Sequence, residues 1–261
     1  MFKWLQRRRR HRVLALPFPA GWADILEQNI YHYRYLSAEE QSRLRADVAV
    51  FVAEKNWEGC GGLELTDEIK VTIAALACLL VLHLQHDYHA QVLSILVYPR
   101  GYLVPRRNEL DMQSDEPLLG EAWYRGPVIL SWSQIRRDCR RPGMGHNLVW
   151  HEFAHQLDML DRETNGTPPL RDRQQRIAWR DIMTAEFNEL IQALRRHEDT
   201  FLDPYGATNE AEFFAVATET FFDQPHQMRQ FHPRLYGLLQ DYYSQDPAAR
   251  LPGPAGDEAS P

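Results

Sequence analysis

The chain has 261 residues, 44% hydrophobic and 25% charged, which is enough for one large domain or two small ones with an ordinary core. The formal net charge is −7, yet Lys3 and five arginines lie in the first twelve residues with no acid among them, and subtracting these six charges leaves −13 on the rest. An acidic body argues against nucleic acid as the main partner, because phosphate binding needs a basic face on the folded domain.

The arginine-rich segment, residues 1–12, is predicted to be a solvated tail, with contact to an anionic lipid or a partner as the alternative. The apolar run after it, Val13–Leu16, is shorter than the roughly 7–15 residues of a secretory signal core. A second apolar stretch, Val71–Leu84, is shorter than the roughly 20 residues that cross a bilayer. Three cysteines form no close pair and fit free thiols in a reducing compartment: Cys60, Cys78 and Cys139. We therefore predict a cytoplasmic protein without a membrane span.

The N-terminal half is predicted to be helical. Ser37 and Glu40 form a capping box before an amphipathic helix that runs to about Asn56, and a glycine-rich turn follows at residues 59–62. Thr66 then begins a second helix, whose hydrophobic residues on all sides predict burial against several other elements.

The C-terminal half combines strands and helices. Val92–Tyr98 and Gly126–Trp132 are rich in β-branched and aromatic residues and are predicted to be strands. Pro127 is typical of an edge strand, so we predict that Gly126–Trp132, or the adjoining Trp123–Arg125, binds an extended peptide by strand addition; the alternative is a plain core strand. Residues 136–145 are predicted to be a loop. Four helices are predicted over residues 147–161, 173–197, 209–222 and 233–243.

The first of those helices carries the pattern His-Glu-x-x-His, formed by His151, Glu152 and His155. Residues four apart lie on one face of a helix, so the two imidazoles can share one zinc ion. Glu152 is rotated about 100° from His151 and flanks the metal, which suits a carboxylate that activates water. The pattern predicts a hydrolytic site with one zinc ion per chain.

Catalytic zinc usually has three protein ligands, and the spacing leaves several acids open as the third. Asp161 stands where metzincin-like motifs place a ligand, but Asp158 replaces the glycine that would break the helix there. Asp158 shares the histidine face and is predicted to orient the site or to lie in solvent. Glu210 and Glu212, on a second helix, are stronger candidates. They are two residues apart and cannot both face the metal, and spacing alone does not choose between them.

Two segments resemble known metallopeptidases. Tyr205–Ala215 resembles the metal-binding helix in the protease domain of anthrax lethal factor. Together with His151–Asp161, HEFAHQLDMLD, it makes the chain similar to the Mlc titration factor A family of bacterial metallopeptidases. The likeness extends to Gly59–Leu80 and to Arg125–Trp132, RGPVILSW.

This resemblance implies roles for five residues. His151, His155 and Glu212 would be the zinc ligands, Glu152 the general base, and Tyr205 the stabiliser of the oxyanion. It leaves Glu210 as a capping or outer residue. Arg162 stands where the family would place a glycine, a departure that does not touch the ligands.

The resemblance also implies aminopeptidase activity on a peptide or protein substrate, and binding to Mlc, a glucose-responsive transcriptional repressor. The alternative is a non-catalytic, zinc-containing module that sequesters a repressor. Structural zinc sites have four protein ligands and need no glutamate beside them, which favours the hydrolase.

Taken together, the chain is predicted to be an α+β, mostly helical, zincin-like metallopeptidase domain with a small sheet beside the HExxH helix. The domain is expected to span residues 13–250, with a helical N-terminal part at about 13–90 and a catalytic part at about 91–250. Residues 1–12 and 251–261 would be tails.

Overall fold

A computed structural model of the protein describes residues 2–84, 87, 89–101, 120–121 and 126–253. The α-helices of this part of the chain are α1 Phe2–Leu14, α2 Ala20–Asn29, α3 Ala38–Glu54, α4 Asp67–Leu80, α5 Trp132–Arg140, α6 Leu148–Asp158, α7 Arg173–Arg195, α8 Glu210–Asp223, α9 Pro225–Phe231, α10 Pro233–Tyr243 and α11 Pro247–Arg250. Short 3₁₀ helices are formed by Tyr31–Tyr35, Met159–Asp161 and Pro204–Ala207. The strands are β1 Asn56–Gly59, β2 Ser94–Tyr98, β3 Gly120–Glu121 and β4 Val128–Ser131. The predicted fold class, mostly helical α+β with a small sheet, is confirmed.

The sheet has the strand order β1-β2-β4-β3. Strands β1, β2 and β4 are parallel, and β3 runs antiparallel to β4, with Gly120 opposite Leu130. Because β4 is paired on both sides and buries Val128 and Leu130, the prediction that Gly126–Trp132 is a peptide-binding edge is wrong, and the core-strand alternative holds for Val128–Ser131. The adjoining Trp123–Arg125 lies outside the described residues.

The arginine-rich start is not a solvated tail, because residues 2–14 form α1, which packs against α3. The Arg10 guanidinium binds both carboxylate oxygens of Glu54, at 2.7 and 2.8 Å, and reaches Asp87 at 3.1 Å. A run of arginines in the sequence does not indicate which acidic residues it will contact. Here the two partners of Arg10 lie 44 and 77 residues away along the chain.

Helices α3 and α4 begin where the capping signals predicted. The Ser37 side chain accepts a hydrogen bond from the backbone N–H of Glu40, and the Glu40 carboxylate accepts one from the backbone N–H of Ser37. Thr66 caps α4, which is buried on nearly every side. Strand β1, which follows α3, was not predicted. Farther along the chain, the prediction of a loop at residues 136–145 is wrong for residues 136–140, which belong to α5. Strand β1 alternates exposed and partly buried residues, and so lacks the apolar run that marks a strand.

Helix α6 lies in the core between α4 and α8. Val149, Phe153 and Leu157 are fully buried on its apolar side, and the indole N–H of Trp150 donates to the carbonyl of Leu76 at 3.1 Å. Asn147 caps the helix by accepting from the N–H of Trp150. This packing fixes the orientation of the polar face of α6 toward α8. Within the described part of the chain, every helix is too short or too polar to cross a membrane.

Candidate active site

Helix α6 presents two imidazoles one turn apart. The Nε2 atoms of His151 and His155 are 3.2 Å from each other, and both side chains are largely buried. The prediction that this helix places the two histidines side by side is confirmed by this geometry.

Helix α8 brings Glu212 to the same point. Its Oε2 atom lies 3.0 Å from His151 Nε2 and 3.3 Å from His155 Nε2. The start of α8 explains this placement, since Asn209 accepts from the N–H of Glu212 and sets the rotation of the first turn. Glu210, in the same turn, is exposed to solvent.

The other acids that the sequence left open lie elsewhere. Asp158 is buried and accepts from the backbone N–H groups of Gly166, at 3.0 Å, and Thr167, at 2.8 Å. These hydrogen bonds stabilise the loop that follows α6. Asp161 is exposed and accepts from the N–H of Glu163. Neither belongs to the cluster of His151, His155 and Glu212, whose candidate ligand atoms all lie within 4.8 Å of one another.

This cluster fits a tetrahedral metal ion. Two nitrogens that each lie about 2.0–2.1 Å from such an ion are about 3.3 Å apart, and the three edges of the cluster measure 3.0, 3.2 and 3.3 Å. Among the described residues, the buried Oε2 atom of Glu212 meets no donor with hydrogen-bond geometry. Two imidazole nitrogens and a carboxylate oxygen that converge at these distances are suited to a cation.

Glu219, which was not predicted from the sequence, binds His151 on the ring nitrogen that faces away from the cluster. Its Oε1 atom accepts from His151 Nδ1 at 2.7 Å, and its Oε2 atom accepts from His146 Nδ1 at 2.8 Å and from the N–H of Asn147 at 2.6 Å. A carboxylate on Nδ1–H leaves the lone pair of Nε2 directed at the cluster, as in many metal-binding histidines. The available signal was spacing, because Glu219 follows Glu212 by seven residues and so shares its helix face.

The charges around Glu219 support its ionised form. Burial by itself raises the pKa of Glu219, but His151 and His146 outweigh it and lower this pKa below the ordinary value of a glutamate. In return, the hydrogen bond that His146 donates to Glu219 raises the pKa of His146 to about 9. Glu219 is thus a buried carboxylate between two imidazoles.

Glu152 lies beside the cluster but outside it. Its side chain is buried, and within the described residues its Oε2 atom has no hydrogen-bond partner. Burial raises its pKa to about 7, against the opposing effect of His151 and His155. A carboxyl group with such a pKa can exchange a proton near neutral pH.

Tyr205 lies near His151. It lies in the 3₁₀ helix Pro204–Ala207, where Asp203 accepts from its backbone N–H, and its ring centroid is 5.9 Å from that of the His151 imidazole. The side chain is 54% exposed.

The described part of the chain is a mostly helical α+β domain whose candidate site is a cluster of two histidines and a glutamate that could hold a metal ion. The model of the glucose-regulated metallo-peptidase M90 family matches residues 3–244. The chain belongs to this family.

Known relatives cover nearly the whole chain. An uncharacterized protein of Synechocystis sp. is 39% identical, over 94% of this chain and 90% of its own length. Proteins named Mlc titration factor A are 30% identical in Escherichia fergusonii, over 92% of this chain and 91% of that protein, and 31% identical in Yersinia enterocolitica, over 96% and 94%. The family resemblance predicted from the sequence is confirmed.

Proposed function

We propose that the protein is a zinc-dependent peptidase of the gluzincin type, in which His151, His155 and Glu212 hold the metal. The convergence of their three ligand atoms, with edges of 3.0–3.3 Å, is the observation that carries this proposal. The buried Glu152 beside the cluster favours a catalytic site over a structural one, which has four protein ligands.

In this mechanism each residue has a distinct task. A zinc ion held by His151, His155 and Glu212 would supply Lewis acidity to a water molecule and to the scissile carbonyl. Glu152 accepts a proton from the attacking water and passes it to the amine nitrogen as the C–N bond breaks. Glu219 keeps the His151 ring in the orientation that leaves Nε2 available. Tyr205 donates a hydrogen bond to the carbonyl oxygen as negative charge develops on it.

The substrate is a peptide or protein, and the family resemblance favours aminopeptidase activity. Two fluorogenic peptides of one sequence, with a free or an acetylated N-terminus, test both points. We expect zinc-dependent cleavage of the free peptide, lost with a chelator and restored by added zinc. Faster cleavage of the acetylated peptide would identify an endopeptidase, and cleavage unaffected by metal removal would contradict the proposal.

Tyr205→Phe is expected to keep zinc and thermal stability while kcat falls about 10²-fold or more, the usual effect of removing one oxyanion donor. The exposed ring adds little to the core, so Tm should not change. Zinc content, kcat and Tm are measured beside Tyr35→Phe, another partly exposed tyrosine. Unchanged kcat would remove the catalytic role, and a large fall in Tm would indicate packing instead.

Glu219→Gln is expected to weaken zinc binding by about 10–100-fold, because the neutral amide no longer orients His151 with a charge. Competition with a chromogenic chelator measures the affinity. The matched control is Glu186→Gln, which removes a carboxylate of α7 that accepts from His232 Nδ1 at 2.7 Å. Equal zinc affinity in both variants would show that the orientation of His151 does not depend on Glu219.

We propose the transcriptional repressor Mlc as a partner of this protein, because two relatives carry the name Mlc titration factor A. Such a partner places the protein in the cytoplasm. The second candidate function is a zinc-containing module that only sequesters the repressor. The variant Glu152→Gln, which is expected to keep zinc and lose the general base, distinguishes the two functions.

A further inference from the structure

Helix α1 turns a basic face with an exposed tryptophan away from the protein. Trp4, Arg7, Arg8 and His11 follow one another at the three- and four-residue spacing of one helix face, and all are exposed. Arg12 borders this face and is exposed as well. The Arg8 guanidinium lies over the Trp4 ring, 4.7 Å from its centroid. We call these five residues the α1 outer face.

The opposite side of α1 is tied to the protein. Arg10 binds Glu54 and Asp87, and Arg9 donates to the backbone carbonyl of Ala53 near the end of α3. Val13 is partly buried on the same side. These contacts hold the α1 outer face in a fixed direction, so its charges act together as one surface.

Exposed apolar side chains flank the basic residues. Trp4 is 58% exposed, Leu14 50% and Leu16 71%. Leu14 and Leu16 also line a groove of about 410 Å³ between the end of α1 and α3, with Phe18, Trp22 and Val52 among its other walls. Large apolar side chains beside a polybasic face are typical of helices that lie in a membrane interface.

Charge separates this surface from the rest of the chain, which carries −13 once the six positive charges of the first twelve residues are subtracted from −7. An anionic surface repels the net negative charge of such a body and attracts its basic α1 outer face. A nucleic acid would pair with the arginines, but it would leave Leu14, Leu16 and the apolar groove in water. A lipid membrane satisfies both kinds of side chain at once.

We propose that residues 4–18 form a docking surface for an anionic lipid membrane, onto which the protein binds peripherally. Arg7, Arg8 and Arg12 contact lipid phosphates. Trp4, Leu14 and Leu16 enter the boundary between headgroups and acyl chains, where tryptophan is favoured. Two weak signals, charge and apolar insertion, combine into stable but reversible binding.

Flotation of the full chain with vesicles tests this proposal. We expect binding to vesicles of phosphatidylcholine with phosphatidylglycerol, and little binding to phosphatidylcholine alone. Replacing Arg7, Arg8 and Arg12 together with glutamine is expected to weaken binding by about 10²-fold, from the typical effect of one charge near an anionic surface. The matched control replaces three exposed arginines of α7 and so makes the same change in net charge: Arg173, Arg176 and Arg195.

The apolar contribution has its own variant. Trp4→Ala is expected to weaken binding to the anionic vesicles about 10-fold or more, the effect of losing one large inserted side chain. All variants change exposed side chains and should keep wild-type Tm and zinc content, which verifies that they fold.

Three results would overturn the proposal. They are no binding of the wild type to anionic vesicles, equal losses in the α1 and α7 triple variants, or tighter binding of the α1 face to duplex DNA than to vesicles. The last of these would identify a nucleic-acid surface.

Discussion

Glu152→Gln is expected to leave zinc bound while lowering kcat by about 10²–10⁴-fold, the usual contribution of a general base. The amide has the shape of the carboxylate but cannot accept the proton of water. Glu152 is not one of the three converging residues, so its replacement leaves His151, His155 and Glu212 in place. Elemental analysis for zinc and steady-state kinetics on the same preparation measure the two effects.

Two outcomes would contradict this assignment. Wild-type kcat in the zinc-loaded variant would show that another group takes the proton. Loss of zinc would show that Glu152 belongs to the metal site.

The same variant also distinguishes cleavage from partner binding. We expect Glu152→Gln to capture Mlc in a pull-down as the wild type does. Failure of the folded, zinc-loaded variant to capture Mlc would indicate that Mlc is bound as a substrate.

Glu212→Ala is expected to lose zinc and, with it, all zinc-dependent peptidase activity. Its Oε2 atom is one of three converging ligand atoms, so zinc affinity should fall further than the roughly 10–100-fold that follows loss of an outer carboxylate. Zinc content after dialysis against a weak chelator measures this loss.

The control for this variant is Glu210→Ala, which removes the same charge from the same first turn of α8 but from an exposed position. It should retain zinc and activity. If Glu212→Ala kept its zinc while Glu210→Ala or Asp158→Ala lost it, the third ligand would have been assigned wrongly.

The sequence by itself determined the features that depend on neighbours within a few residues. The capping box of Ser37 and Glu40 predicted the start of α3, and Thr66 predicted the start of α4. The four-residue spacing of His151 and His155 placed both imidazoles on one face of α6. In each case the deciding interaction is a turn of helix, whose geometry is the same in any protein.

Tertiary structure alone decided the features that depend on contacts between distant segments. The position of Glu212, and not Glu210, beside the two histidines follows from how α8 packs on α6, and the contact of Glu219 with His151 joins residues 68 apart. The pairing of β4 on both sides required β3, and the fixed position of α1 required Glu54 and Asp87. Local spacing limits which residues can share a face, but only packing between elements settles what that face meets.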